Sequence, residues 1–120
     1  MLSIAIIDDE PDLVTLFSEV LQQNGYNVYK FTNSLEALNK IGKNAEKYNL
    51  IISDFRMPGL NGYQLITKLK EQNPHLKTIL MSAFNDVQYD NSITFISKPI
   101  LLTKLIRIVN EILCNERTCI

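Results

Sequence analysis

The chain is 120 residues long, 46% hydrophobic and 21% charged, with a formal net charge of −1 at pH 7. One ordinary domain of that size holds a real core, so neither a disulfide framework nor a structural metal is needed to fold it. The near-neutral balance excludes a bulk electrostatic drive towards nucleic acid or anionic lipid, the apolar fraction argues against disorder, and no apolar run is long enough to span a bilayer.

The chain enters a strand pattern at once. Met1-Leu2-Ser3-Ile4 carries no basic stretch, so a cleaved signal peptide is not expected and the cytoplasm is the default location. Residues 2–7 form a β-branched apolar run, as a buried parallel strand requires. Pro11 then opens a helix where its missing N–H costs nothing. Leu13, Leu16, Phe17, Val20 and Leu21 make its apolar stripe, and Gly25 supplies the stop. Asn27–Phe31 reads as a second strand, and Ser34 as the cap of a second helix carrying Leu35, Leu38 and Ile41.

Residues 50–53 form the third strand, which ends at Asp54. Pro58, Gly59, Asn61 and Gly62 make the loop after it. A helix over about residues 63–72 carries Leu65, Ile66 and Leu69, and Asn73-Pro74 ends it. Residues 78–81 are the fourth strand, ending at Ser82-Ala83. Ile93–Ser97 is the fifth, ending at Lys98-Pro99. The last helix covers about residues 102–114, with Leu105, Ile106, Val109 and Ile112 inward.

Alternating strands and helices predict an α/β fold with a parallel sheet, helices on both faces and right-handed crossovers. The flavodoxin-like doubly wound order 2-1-3-4-5 is the natural arrangement for five such units, with residues 1–120 as a single domain. Function in such sheets gathers beyond the carboxyl ends of the strands.

Four of those ends carry chemistry. Asp8-Asp9-Glu10 follows strand one, Asp54 strand three, Ser82 strand four and Lys98 strand five. If strands one and three are neighbours, two or three carboxylates converge and repel one another. A divalent cation removes that conflict, and all-oxygen ligands with room for water suit Mg²⁺. Asp54 can then attack phosphorus as an already ionised nucleophile, with Lys98 neutralising the transferring oxygens and Ser82 donating a hydrogen bond to one. Singly, each residue has a plainer reading: helix capping for Asp8 and Asp9, a turn for Ser82, a solvated surface for Lys98. Together, at the ends of four strands, they point to phosphoryl transfer. His75, after Pro74, reads as a solvated turn residue, and Cys114 and Cys119 as free thiols that fit no zinc pattern.

Four segments carry a family resemblance across nearly the whole length: Ile6-Ile7-Asp8-Asp9-Glu10-Pro11, then Asp54-Phe55-Arg56-Met57-Pro58-Gly59-Leu60-Asn61-Gly62, then Met81-Ser82-Ala83, then Phe95-Ile96-Ser97-Lys98-Pro99. In these the chain resembles the receiver domain of two-component response regulators. The resemblance implies phosphorylation of Asp54 by a sensor histidine kinase or phosphotransfer protein, in phosphorelay signal transduction. It implies direct Mg²⁺ ligation by Asp9, Asp54 and the Arg56 backbone carbonyl, with Asp8 acting largely through water. Ser82 becomes the switch hydroxyl, Phe95 the switch aromatic, and the Lys98-Pro99 bond cis. The implied partners are the kinase and a downstream protein or output domain, with no direct nucleic-acid or membrane contact, and a phosphorylation-dependent dimer is allowed. Such a domain is no enzyme in the turnover sense, although it assists its own phosphorylation and dephosphorylation.

One departure from the family pattern stands out. Ser82 and Lys98 are sixteen positions apart (98 − 82 = 16). Residues 84–93 leave space for little more than one or two helical turns at about 1.5 Å per residue, so the fourth helix of the family is expected to be short or absent. Two rival functions compete. A phosphate-independent adaptor with the same fold is disfavoured by the presence of all five residues Asp8, Asp9, Asp54, Ser82 and Lys98. A Mg²⁺-dependent aspartyl-phosphate phosphohydrolase often places an acid two residues after the nucleophile, where this chain has Arg56, which donates no proton at neutral pH.

Overall fold

The computed structural model describes residues 1–83 and 92–113. Its elements alternate as the apolar pattern requires: β1 (Ser3–Ile7), α1 (Pro11–Gln23), β2 (Asn27–Phe31), α2 (Ser34–Lys43), β3 (Leu50–Asp54), α3 (Gly62–Gln72), β4 (Lys77–Ser82), β5 (Ile93–Ser97) and α4 (Leu102–Leu113), with a single 3₁₀ turn at Ala45–Lys47. The five strands form one sheet in the order β2-β1-β3-β4-β5, and every adjacent pair is parallel. This is the doubly wound order expected from the sequence. The crossover between β4 and β5, where the short or missing helix was expected, and both cysteines fall at residues 84–91 and 114–120, outside the described residues.

The central strands are apolar on both faces because helices cover both. Ile4, Ile6, Ile52, Ile79 and Met81 point to one side, where Val14, Phe17 and Leu21 of α1 and Leu105, Val109 and Leu113 of α4 close over them. Ala5, Ile7 and Ile51 point to the other, against Ala37 and Ile41 of α2 and Leu65 and Leu69 of α3. That two-sided burial is why β1 and β3 read as continuous apolar runs rather than alternating ones.

Two local expectations change. The cap of α2 is Asn33, not Ser34: the Asn33 side chain accepts the Glu36 N–H at 2.9 Å. Asn33 and Glu36 have the three-residue spacing of an N-terminal capping signature, which outcompetes the hydroxyl one position later. The apolar stripes also shift. Ala37 and Ile41 bury the core face of α2, while Leu35 is 57% exposed. In α1 the inward residues are Val14, Phe17, Ser18 and Leu21, and Leu16 is 42% exposed. More apolar residues lie on these helices than one core-facing stripe can use.

Candidate functional site

The register delivers the predicted residues to one place. Ile7 of β1 pairs with Ser53 of β3, so Asp8 and Asp54 emerge side by side at neighbouring strand ends. Asp54 pairs with Met81, one residue before Ser82, and Ser82 pairs with Ser97, one residue before Lys98. A backbone bond from Lys98 N–H to the Ser82 carbonyl (2.8 Å) ties the last two ends together. The Lys98-Pro99 peptide is cis, as the family resemblance implies. Between β1 and β3 the chain's winding direction reverses, and open α/β sheets form their crevice at such a point.

One carboxylate oxygen from each of Asp8, Asp9 and Asp54 lies within 4.8 Å of the other two. Asp8 is fully buried and Asp54 nearly so, while Asp9 is exposed. Lys98 Nζ reaches Asp54 Oδ1 at 2.6 Å and Asp8 Oδ2 at 3.7 Å. Asp9, Glu10, Asp54, Arg56, Ser82, Ala83 and Lys98 line a cavity of about 290 Å³, enough for a small anion and its counter-ion. Phe95 is half-buried in β5, in register with Leu80 of β4 and three residues before the cavity's Lys98.

The capping explanation of the aspartates does not hold. Glu10 occupies the N-cap position of α1 and makes no side-chain cap bond. Asp8 instead turns back on itself, its Oδ1 accepting the Glu10 N–H at 3.0 Å. Its other oxygen, Oδ2, is buried without a hydrogen-bond donor.

Electrostatics follow from this crowding. Burial pushes the Asp8 carboxyl from an ordinary 3.8 up to about 6; the Glu10 N–H and Lys98 pull it back while Asp54 and Glu10 raise it further. Burial likewise raises Asp54, and the Lys98 hydrogen bond and charge oppose this without cancelling it, because Asp9 and Glu10 add repulsion. Burial works against the Lys98 charge as well, yet Asp54, Asp8 and Glu10 outweigh it and hold the ammonium above its ordinary value. Asp54 sits among like charges and Lys98 among opposite ones, so one ion pair leaves both groups shifted upward.

A hard divalent cation fits this donor set. All candidate ligands are oxygens, the carboxylates are too close to coexist comfortably as bare anions, and the buried Asp8 oxygen lacks a donor. Asp8, Asp9 and Asp54 are the residues placed to hold it, with Arg56 on the cavity wall.

Sequence reasoning missed a second feature beside this pocket. Glu10, Leu13, Leu16, Phe17, Ala83, Lys98, Pro99, Ile100 and Leu102 line an apolar groove of about 500 Å³ between α1 and the start of α4. Its signal was the surplus of leucines in α1, more than a single stripe needs.

Fold and site together define a doubly wound α/β protein with an acidic crevice, fit for a divalent cation, at the carboxyl end of its sheet. The family model described as "Response regulator receiver domain" matches residues 4–110, and the chain belongs to that family, the receiver domains of two-component response regulators. It is 32% identical over 111 residues to the C4-dicarboxylate transport transcriptional regulatory protein DctD of Rhizobium meliloti, covering 88% of this chain and 24% of that protein. It is 29% identical over 84 residues to sporulation initiation phosphotransferase F of Bacillus subtilis, covering 70% of this chain and 66% of that one. The chain thus spans about a quarter of the first relative's length and about two thirds of the second's. Among solved structures it is similar to the response regulator protein TrrA from Thermotoga maritima in complex with Mg²⁺-BeF, with a TM-score of 0.82 at 29% identity over 93% of this chain and 99% of that one. Within the described residues, no helix is long and apolar enough to cross a membrane.

Proposed function

We propose that residues 1–120 form a single cytoplasmic receiver domain that accepts a phosphoryl group on Asp54, with Mg²⁺ in the acidic crevice. The donor is a phosphohistidine of a sensor histidine kinase or phosphotransfer protein. The convergence of three carboxylates within 4.8 Å, with Lys98 Nζ 2.6 Å from Asp54, carries this reading.

Each residue has a part. An Asp54 carboxylate oxygen forms the new bond to phosphorus as the phosphorus–nitrogen bond of the donor breaks, and the electron pair returns to the imidazole. No general base is needed, since the nucleophile carries no proton to remove. Lys98 is poised to exchange its contact with Asp54 for the phosphoryl oxygens, and the Ser82 hydroxyl to donate to one of them. Asp9, Asp54 and the Arg56 carbonyl would hold the cation, with Asp8 acting largely through water. When bound, the cation supplies the positive charge that this crowded donor set lacks. The apolar groove beside the pocket offers the donor a surface from which to present its phosphohistidine.

Phosphorylation adds charge and strong acceptor oxygens at Asp54. Ser82 moves inward to meet them, and Phe95 turns into the space it leaves, altering the surface around β5 for a downstream partner, an output domain or a second copy. The domain turns over no substrate of its own beyond assisting its phosphorylation and dephosphorylation.

Incubation with acetyl phosphate and Mg²⁺, followed by intact-mass and peptide mass spectrometry, tests the assignment. A single phosphoryl group on Asp54, absent from Asp54→Asn, is expected. No phosphorylation, or modification of another residue, contradicts it and favours an adaptor that works by contact alone.

A further inference from the structure

The loop between β3 and α3 carries Arg56 from Asp54 to the capping box of α3. Its course is set at several points. Phe55 N–H donates to the Met81 carbonyl (2.8 Å), Gly62 N–H returns to the Phe55 carbonyl (2.8 Å), and Asn61 and Gln64 cap each other's backbone. Gly62 packs so tightly that a Cβ there would lie 2.1 Å from the Asp54 carbonyl oxygen. At the outer turn of the loop, Gly59 adopts a φ of +79°, and a side chain from a different element reaches in. The Ser34 hydroxyl donates to the Pro58 carbonyl and accepts from the Leu60 N–H, both at 3.1 Å.

That hydroxyl is not needed by its own helix. Asn33 caps α2, so Ser34, the first helical residue, has its hydroxyl free for the loop, and it is 1% exposed. A buried hydroxyl that satisfies one donor and one acceptor on a loop otherwise shaped by a positive-φ glycine fixes that loop's conformation. Removing it takes away the one side-chain partner that the Pro58 carbonyl and the half-buried Leu60 N–H share. Water can replace the hydroxyl at these groups but cannot tie the loop to α2, so the loop is released to shift, and Arg56 lies two residues before Pro58.

We infer that Ser34 is a positioning residue for the phosphoacceptor site, holding the loop so that Arg56 meets the cation, and thereby linking the start of α2 to Mg²⁺ affinity. This rests on the reading of the acidic crevice as a Mg²⁺ site. Ser34 touches neither the cation nor the phosphoryl group; it acts through the loop backbone, as residues that support metal ligands do.

The test is Mg²⁺ titration of the whole chain by calorimetry, with backbone amide NMR shifts of residues 55–61 as a second readout. Ser34→Ala should weaken Mg²⁺ by roughly tenfold, the lower end of what loss of a supporting hydrogen bond costs a metal site, and should move the loop amides before metal is added. Asn33→Ala is the control. It removes the α2 cap and should lower the melting temperature, yet leaves the Ser34 bridge in place, so its Mg²⁺ affinity should match wild type. Wild-type binding with unchanged affinity in Ser34→Ala overturns the inference alone. Equal losses in both variants reduce Ser34 to a general prop for α2 and overturn it too. Failure of the wild type to bind Mg²⁺ removes the underlying reading and the inference with it.

Discussion

The two ends of the sheet treat their polar groups in opposite ways. At the amino end, donors and acceptors pair off without any buried carboxylate. Ser3 N–H donates to Asn49 Oδ1 at 2.8 Å, Asn27 Nδ2 donates to the Tyr29 hydroxyl at 3.0 Å, and Lys77 Nζ donates to the Ile112 carbonyl at 3.3 Å. Tyr26 bonds Asn110 across to α4. One hydroxyl there, Thr78 Oγ1, lacks a partner, but a neutral hydroxyl is a small debt beside a carboxylate. At the carboxyl end three acids and one lysine are packed together, Asp8 Oδ2 has no donor, and both buried aspartates hold their protons more tightly than usual. The same strands run through both ends, so backbone and core cannot account for the contrast. The amino end is built to be stable alone, and the carboxyl end to be completed by something that arrives. Local violation of the pairing rules, with compensation elsewhere in the fold, is what a functional site looks like.

Asp8→Asn should break the contrast most strongly. Asn keeps an oxygen for the Glu10 N–H and removes the buried charge. Without metal at pH 7 the variant should be more stable than wild type by about 1–3 kcal/mol, the usual cost of a buried polar atom left without a hydrogen bond, while binding Mg²⁺ more weakly. The pH dependence has a definite sign. Because the Asp8 carboxyl rises from 3.8 to about 6 on folding, the folded state binds its proton more tightly than the unfolded chain. The stability this lends wild type is fully present below about pH 4 and is lost as pH rises through about 6. The advantage of Asp8→Asn should therefore open across that window in urea melts. A gap that does not vary with pH would place the strain elsewhere.

A smaller effect should come from the other end. Asn49→Ala leaves the Ser3 N–H short of its acceptor and should cost about 1–2 kcal/mol by thermal melting. Its Mg²⁺ affinity should be that of wild type, because nothing at the amino end contacts the crevice. A parallel loss of Mg²⁺ affinity would mean that the two ends are coupled through the sheet.

Much of this could be read from the residues, and the limits have physical causes. Strand ends were legible because β1, β3 and β4 are apolar runs that stop abruptly at Asp8, Asp54 and Ser82. The alternation of elements predicted a parallel sheet, the order 2-1-3-4-5 was the natural choice for five such units, and register then decided which residues meet. Helix faces were less legible. Leu16 and Leu35 look like core by periodicity, but Val14 and Ala37 take those places, because a stripe of apolar residues does not say where its centre lies. The α2 cap was misplaced by one residue because Asn33 and Ser34 are both good capping types, and only the Glu36 spacing separates them. That single residue mattered, since it frees the Ser34 hydroxyl. Such a contact joins residues 24 and 26 positions apart, and no local pattern encodes it.

The central claim is that the crevice is completed by a divalent cation, and the most direct test is the thermal stability of wild type and Asp9→Ala with and without Mg²⁺ at pH 7. Mg²⁺ at ten times its Kd should stabilise wild type by about 1.4 kcal/mol and leave Asp9→Ala nearly unmoved. Equal stabilisation of both proteins, or of neither, would contradict the account.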